Sequence, residues 1–234
     1  GALPARSRCP EGIRTEMKLS FSIRLIAPWC ALALAGCSVL AGGDRQSTTI
    51  YAPQVRVQAD PAWPSVDWQL AIAKPSAARL VDSPRINVRP TPGELEVYKG
   101  ATWSQPATDI LEDTLLRGFE DSGRIDAVAR IAAGIRSDYK LTTDLRRFEA
   151  DYRGGDTPAA TIELNAKLIH SIDQRVVASR TFLVAEPAAS AELPSVARAF
   201  ETALDKTAGD LIGWTLVSGQ QDAAALPAQG SGGK

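Results

Sequence analysis

Catalysis and metal binding need clusters of nucleophiles, bases or ligands, and in this chain of 234 residues such groups are few. There is one histidine, His170, and there are three cysteines, Cys9, Cys30 and Cys37. His170 continues the alternate face of Leu164, Ala166 and Leu168, so it stands at the end of a predicted strand. A lone imidazole there serves packing more readily than it serves a substrate, and zinc would have to combine it with carboxylates. The spacing G-x-S-x-G of a serine-hydrolase elbow is absent, as are G-x-G-x-x-G and the phosphate-cradling G-x-x-x-x-G-K-[ST]. Glu112, Asp113, Glu120 and Asp121 fall on one predicted helix at spacings that bring some of them together. A glycosidase pair would need that, but any solvated helix face shows it too. No metal, cofactor or catalytic residue is expected.

The one residue with a definite chemical future is Cys37. It closes a run that opens at Met17, carries Lys18 and Arg24, and turns apolar from Leu25 to Ala35. A positive start, a short apolar stretch and small residues at its end make a signal peptide. About 11 apolar residues fall well short of the roughly 20 that cross a bilayer. Leu34-Ala35-Gly36-Cys37 resembles the bacterial lipobox, in which the cysteine sulfur is diacylated and the preceding bond is cut. Cys37 would then be the first mature residue, held to the membrane by acyl chains worth roughly 0.8 kcal/mol per buried CH₂. The lipobox sorting rule implies the outer membrane, since Ser38 rather than Asp follows the cysteine. Met17 is the only methionine, so residues 1–16 read as a leader outside the natural start.

The segments that frame the rest follow from composition. Formal net charge is −1, and removal of residues 1–36 takes away Arg6, Arg8, Arg14, Lys18 and Arg24 against Glu11 and Glu16, leaving a mildly acidic chain. No basic stripe remains for nucleic acid. Residues 37–48 read as lipidated cysteine and flexible tether, residues 49–217 as the folded domain and residues 218–234 as a disordered tail.

Within the domain, short strands are predicted at Ile50 to Gln58, Val66 to Ile72, Arg85 to Arg89 and Glu94 to Tyr98. A helix should follow, capped by Ser104, admitting Pro106 near its start and ending at Gly123. Tyr139, Leu141, Thr143 and Leu145 alternate, with a bulge or strand end near Arg146-Arg147; strands over Ile162 to Leu168 and Arg175 to Ala185 complete a meander. The last helix is predicted from Pro194 to Leu216. The fold class is therefore α+β, a mixed and mainly antiparallel sheet with two long helices packed on one face. Trp63, Trp68, Trp103 and Trp214 sit near element ends, where indoles either pack the core or line a groove for lipid or peptide.

One stretch then acquires a likeness. Leu95-Glu96-Val97-Tyr98-Lys99-Gly100-Ala101-Thr102-Trp103-Ser104-Gln105-Pro106, followed by Ile110-Leu111, Leu115, Phe119 and Ser122-Gly123, resembles the ABC-type transport auxiliary lipoproteins, the family of paraquat-inducible protein C. Asp138-Tyr139-Lys140-Leu141, Arg180-Thr181-Phe182, Ala197-Arg198-Ala199-Phe200 and Trp214 are similar to its later elements. Asn87-Val88 departs from the family, which has a tyrosine after the Arg-Ile pair. The resemblance implies a non-enzymatic, lipid-anchored component on the periplasmic face of the outer membrane. Its expected partners are an ABC permease, its ATPase and a mammalian-cell-entry (MCE) domain protein that carries lipid between membranes, with a homo-oligomeric ring as a further expectation. Partner or lipid contact is expected around Tyr98, Trp103 and Pro106, where the motif concentrates. The alternative is an accessory lipoprotein that assists assembly of an outer-membrane barrel or lipopolysaccharide exporter.

Overall fold

The computed structural model describes residues 47–226. Its sheet is laid out along one long strand, β7 (Tyr139–Asp151). Three short strands follow one another along one edge of β7, each parallel to it: β2 (Leu70–Ile72), β3 (Ser76–Ala77) and β4 (Arg85–Arg89). Beyond β2 lies β6 (Val128–Arg130), and beyond β4 lie β5 (Glu96–Trp103) and then β1 (Thr49–Tyr51). Along the other edge β7 pairs antiparallel with β8 (Ala159–His170), which pairs antiparallel with β9 (Val176–Pro187). The predicted meander and α+β class both hold.

Alternation decides which face is dry. Tyr139, Leu141 and Leu145 of β7 share a face with Leu164, Ala166 and Leu168 of β8, all of them buried. The register slips between Leu145 and Arg147, so Phe148 and Ala150 regain the buried face beyond the predicted bulge. Two helices cover that face. Helix α1 (Ala107–Ser122) buries Ile110, Leu111, Leu115 and Phe119, and helix α2 (Leu193–Ala225) buries Phe200, Leu204, Leu211 and Ile212. The helices approach closely at Gly118, where a Cβ would stand 2.6 Å from the Ile212 side chain.

Several boundaries differ from the sequence reading, each for a local reason. The strand expected over Ile50 to Gln58 stops at Tyr51. Pro53 has no N–H for a ladder, and Val57 instead turns its side chain toward Gly118 and Gly209 on the two helices. The strand expected from Val66 begins only at Leu70, Val66 forming an isolated bridge with Ile125. Strand β5 runs on to Trp103 because Gly100, at φ +70°, absorbs a register shift opposite β4. Ser104 does not cap α1: Pro106 is the cap residue, and its carbonyl accepts from Asp109 and Ile110. The helix ends as expected at Gly123, in left-handed conformation at φ 60°. Strands β3 and β6 are too short to leave a pattern in the sequence.

The largest difference is at the C-terminal end. The tail expected from residue 218 is helical as far as Ala225. Two contacts hold the extra turns: Trp68 lies over Gly219, where a Cβ would meet its ring at 2.5 Å, and Asp222 is clamped from the sheet. Arg175 donates to both oxygens of Asp222 at 2.8 and 3.2 Å, and the Tyr139 hydroxyl donates at 3.1 Å. The Arg175 guanidinium holds the Asp222 carboxyl below the ordinary carboxylate range, against the opposing effect of burial and with help from Tyr139. A carboxyl lowered on folding stabilises the native state above its unfolded pKa, and that contribution is lost as pH falls through the folded value. Protection from hydrogen exchange over residues 218–225, measured relative to the intrinsic rate at each pH, should therefore fall below about pH 4. In Asp222→Asn the same amides should exchange faster already at neutral pH and show a weaker acid dependence.

Candidate functional site

The expected contact residues separate by depth. Trp103 is 2% exposed and belongs to the core, edge-on to Phe200 at 5.0 Å, Phe148 at 5.9 Å and Tyr51 at 6.5 Å. It is a support beneath the strand-to-helix junction and shows no ring face to solvent. Tyr98 is half-buried on the far side of the Gly100 bulge; burial, with Tyr152 alongside, pushes its phenol far above the ordinary value. Pro106 is half-buried at the start of α1. What the junction presents outward is exposed Ser104 and half-buried Gln105, whose amide donates to Asp113 at 3.1 Å. Cys37 lies outside the described residues.

Two clefts flank the segment that leads from β1 to β2. The first, about 730 Å³, lies between residues 52–56 and α1, with Ser104 and Gln105 at one end and Arg56, Arg117 and Asp121 around its rim. The motif-bearing junction thus opens onto a polar groove. The second, about 590 Å³, lies between residues 57–63 and α2. Trp63 is seated there against Gly213, where a Cβ would come within 2.5 Å of its indole nitrogen. Gly213→Ala should unseat Trp63 and cost about 1–3 kcal/mol, the range for overpacking a close contact, seen as a lower midpoint in urea together with a red-shifted tryptophan emission. The glycines four apart at 209 and 213 were the available sequence signal for this cleft, since that spacing bares one strip of a helix.

His170, Glu112 and Asp113 are engaged in pairs within the fold, while Glu120 and Asp121 are exposed on α1. His170 is buried beside Tyr139, and its Nδ1 pairs with Asp173 at 2.8 Å, tying the β8–β9 turn. Glu112 and Asp113 both meet Arg130 of β6, so neither stands as a free acid or base. Among the described residues no group of three or more His, Cys, Asp or Glu side chains could hold a metal ion, and no helix is long and apolar enough to cross a membrane.

Known proteins share this architecture. The chain is 68% identical to protein XCC0632 from Xanthomonas campestris; the match covers 76% of this chain and 99% of that one, with a TM-score of 0.74. A second crystal structure, of an uncharacterised protein, is 13% identical over 71% of this chain and 97% of its own, with a TM-score of 0.56, a likeness of fold alone. A protein of Bradyrhizobium diazoefficiens is 27% identical over 186 residues, 79% of this chain; the chain spans about half the length of that curated relative. The family model for the ABC-type transport auxiliary lipoprotein component matches residues 49–211, from β1 through most of α2. The chain belongs to the family of ABC-type transport auxiliary lipoprotein components.

Proposed function

We propose that this protein is a non-enzymatic, outer-membrane lipoprotein of an MCE-type lipid transport system, anchored through Cys37 and docking a lipid-carrying MCE assembly driven by an ABC permease and ATPase. The observation that carries the reading is the family match across almost the whole folded domain. The anchor supplies position and the domain supplies binding surface, while the energy comes from ATP hydrolysed by another subunit. Partner contact is proposed at the strand-to-helix junction, through Ser104 and Gln105 at the end of the first cleft, Pro106 next to them and Tyr98 farther back along β5, with Trp103 as the buried support of the junction. The twelve-residue β9, paired among the described residues only with β8, offers an edge through which identical copies could join in a ring.

The test is a crosslinked pull-down of the lipidated protein from envelope membranes, with partners identified by mass spectrometry. Recovery of an MCE-domain protein with a permease and its ATPase supports the reading. Recovery of an outer-membrane barrel in their place would overturn it in favour of an assembly accessory.

A further inference from the structure

The second cleft carries more chemistry than packing requires. Its floor is the stretch of α2 from Asp205 to Val217, where Gly209 and Gly213 leave the backbone bare. The half-buried indoles of Trp63 and Trp214 stand on it, Trp214 held edge-on to Phe182 at 5.7 Å. From β9, Arg180 reaches over the same Phe182 ring at 4.9 Å and makes no ion pair among the described residues. Lys206, the other cation of the rim, is already bound to Glu186. The same cleft is lined by the exposed carboxylates of Asp60, Asp205 and Asp210, likewise without ion pairs among the described residues, Asp60 accepting from the Ala62 backbone N–H at 2.8 Å.

This combination discriminates between ligand classes. A purely anionic ligand would meet three carboxylates, and a purely cationic one would meet an unpaired guanidinium. An apolar ligand would leave both sets of charges unused at a rim that solvates them at little gain. A molecule with a phosphate, an amine and an apolar body uses every group: guanidinium for the phosphate oxygens, carboxylates and indole faces for the ammonium, indoles and Val217 for hydrocarbon. The volume, about 590 Å³, lies within the range of small-ligand sites, roughly 300–1,000 Å³.

We propose that this cleft binds the headgroup of a zwitterionic, amine-bearing glycerophospholipid, with its phosphate on Arg180, its ammonium between Asp205 and Asp210, and the root of its acyl chains between Trp63 and Trp214. The proposal rests on the transport reading in naming a lipid, and adds a site on this chain at which a lipid is held.

Native mass spectrometry of the lipidated protein in dodecyl maltoside micelles, supplied with phosphatidylethanolamine or phosphatidylglycerol of the same acyl chains, tests it. The expected result is one saturable phosphatidylethanolamine per chain, with phosphatidylglycerol weaker. Arg180→Ala and Asp210→Lys should each weaken the binding by about tenfold or more, the effect of losing a charge-assisted contact. Both side chains are exposed and Arg180 gives up only its contact over Phe182, so the unfolding midpoints should move little, and loss of binding in variants that stay folded will not reflect loss of fold. Absence of a bound lipid, equal retention of phosphatidylglycerol, or binding indifferent to both variants would each overturn the proposal. The pull-down separates the two readings: transport partners without bound lipid remove the cleft assignment alone, and bound lipid without those partners removes the transport reading alone.

Discussion

Replacing Trp103 with alanine should cost the domain about 3–5 kcal/mol, the range for truncating a buried large aromatic and a substantial share of the roughly 5–15 kcal/mol that holds a typical domain folded. The ring is 2% exposed and is edge-on to Tyr51 of β1, Phe148 of β7 and Phe200 of α2, while Phe148 and Phe200 also touch at 4.8 Å. One indole therefore joins the first strand, the central strand and the last helix, and its removal leaves a cavity that none of the three can close alone. Trp103→Phe should lose much less, at most about 2 kcal/mol, because the buried indole nitrogen has no hydrogen-bond partner among the described residues to forfeit. Urea unfolding reads both variants. The outcome also fixes how this residue could serve a partner: a lowered midpoint with Trp103→Phe still able to recover partners marks a support, whereas an unchanged midpoint with partner loss would make Trp103 itself the contact.

That distinction was beyond the sequence, and the reason is physical. Leu141, Leu145, Leu164 and Leu168 announce their strands because period two survives in a half-buried sheet, and Leu111, Leu115 and Phe119 announce α1 by recurring every four residues. The bulge near Arg146 was legible as a slip in that alternation. Trp103 carried no such sign, since an indole at a strand end suits a core and a groove equally well until the elements around it are placed. The short strands β3 and β6 owe their existence to partners far away in sequence, β3 to the edge of β7 and β6 to the edge of β2. The last turns of α2 were read as tail because Gln220-Gln221 and the alanines beyond are locally neutral; Trp68 and Arg175, brought from elsewhere, hold them helical. The second cleft is the clearest case. Trp63, Arg180 and Asp210 come from three separate parts of the chain, and only the Gly209-Gly213 spacing hinted that something lay against the helix.

The second large effect is expected at Glu149. On the sheet face opposite the helices, Arg89 donates from Nε and Nη2 to its two oxygens at 2.8 and 3.0 Å, and Arg147 donates from Nε at 2.7 Å. Arg147 continues to Asp151 at 2.6 Å, and Arg153 lies 3.7 Å from the same carboxylate. Glu149 is 2% exposed, so this carboxylate is the buried centre of the cluster, and it sits where β4 meets β7 over only three paired residues, Asn87 to Arg89. Glu149→Ala leaves two guanidiniums facing one another. Breaking a fully buried pair costs about 3–5 kcal/mol, and because both arginines keep about a quarter of their side chains in water, we expect about 2–4 kcal/mol here. Glu149→Gln keeps one acceptor and should lose less, about 1–3 kcal/mol. Urea is the denaturant to use, since guanidinium would screen the charges being measured. The salt response then separates a buried cluster from a surface one: at about 1 M salt the Debye length falls to about 3 Å, and an exposed pair would lose its contribution, whereas the deficit of Glu149→Ala should persist because its charges are held together away from water. A deficit that disappears in salt would show instead that β4 is held to β7 by its ladder and by Val88 in the core, with the ion cluster contributing little.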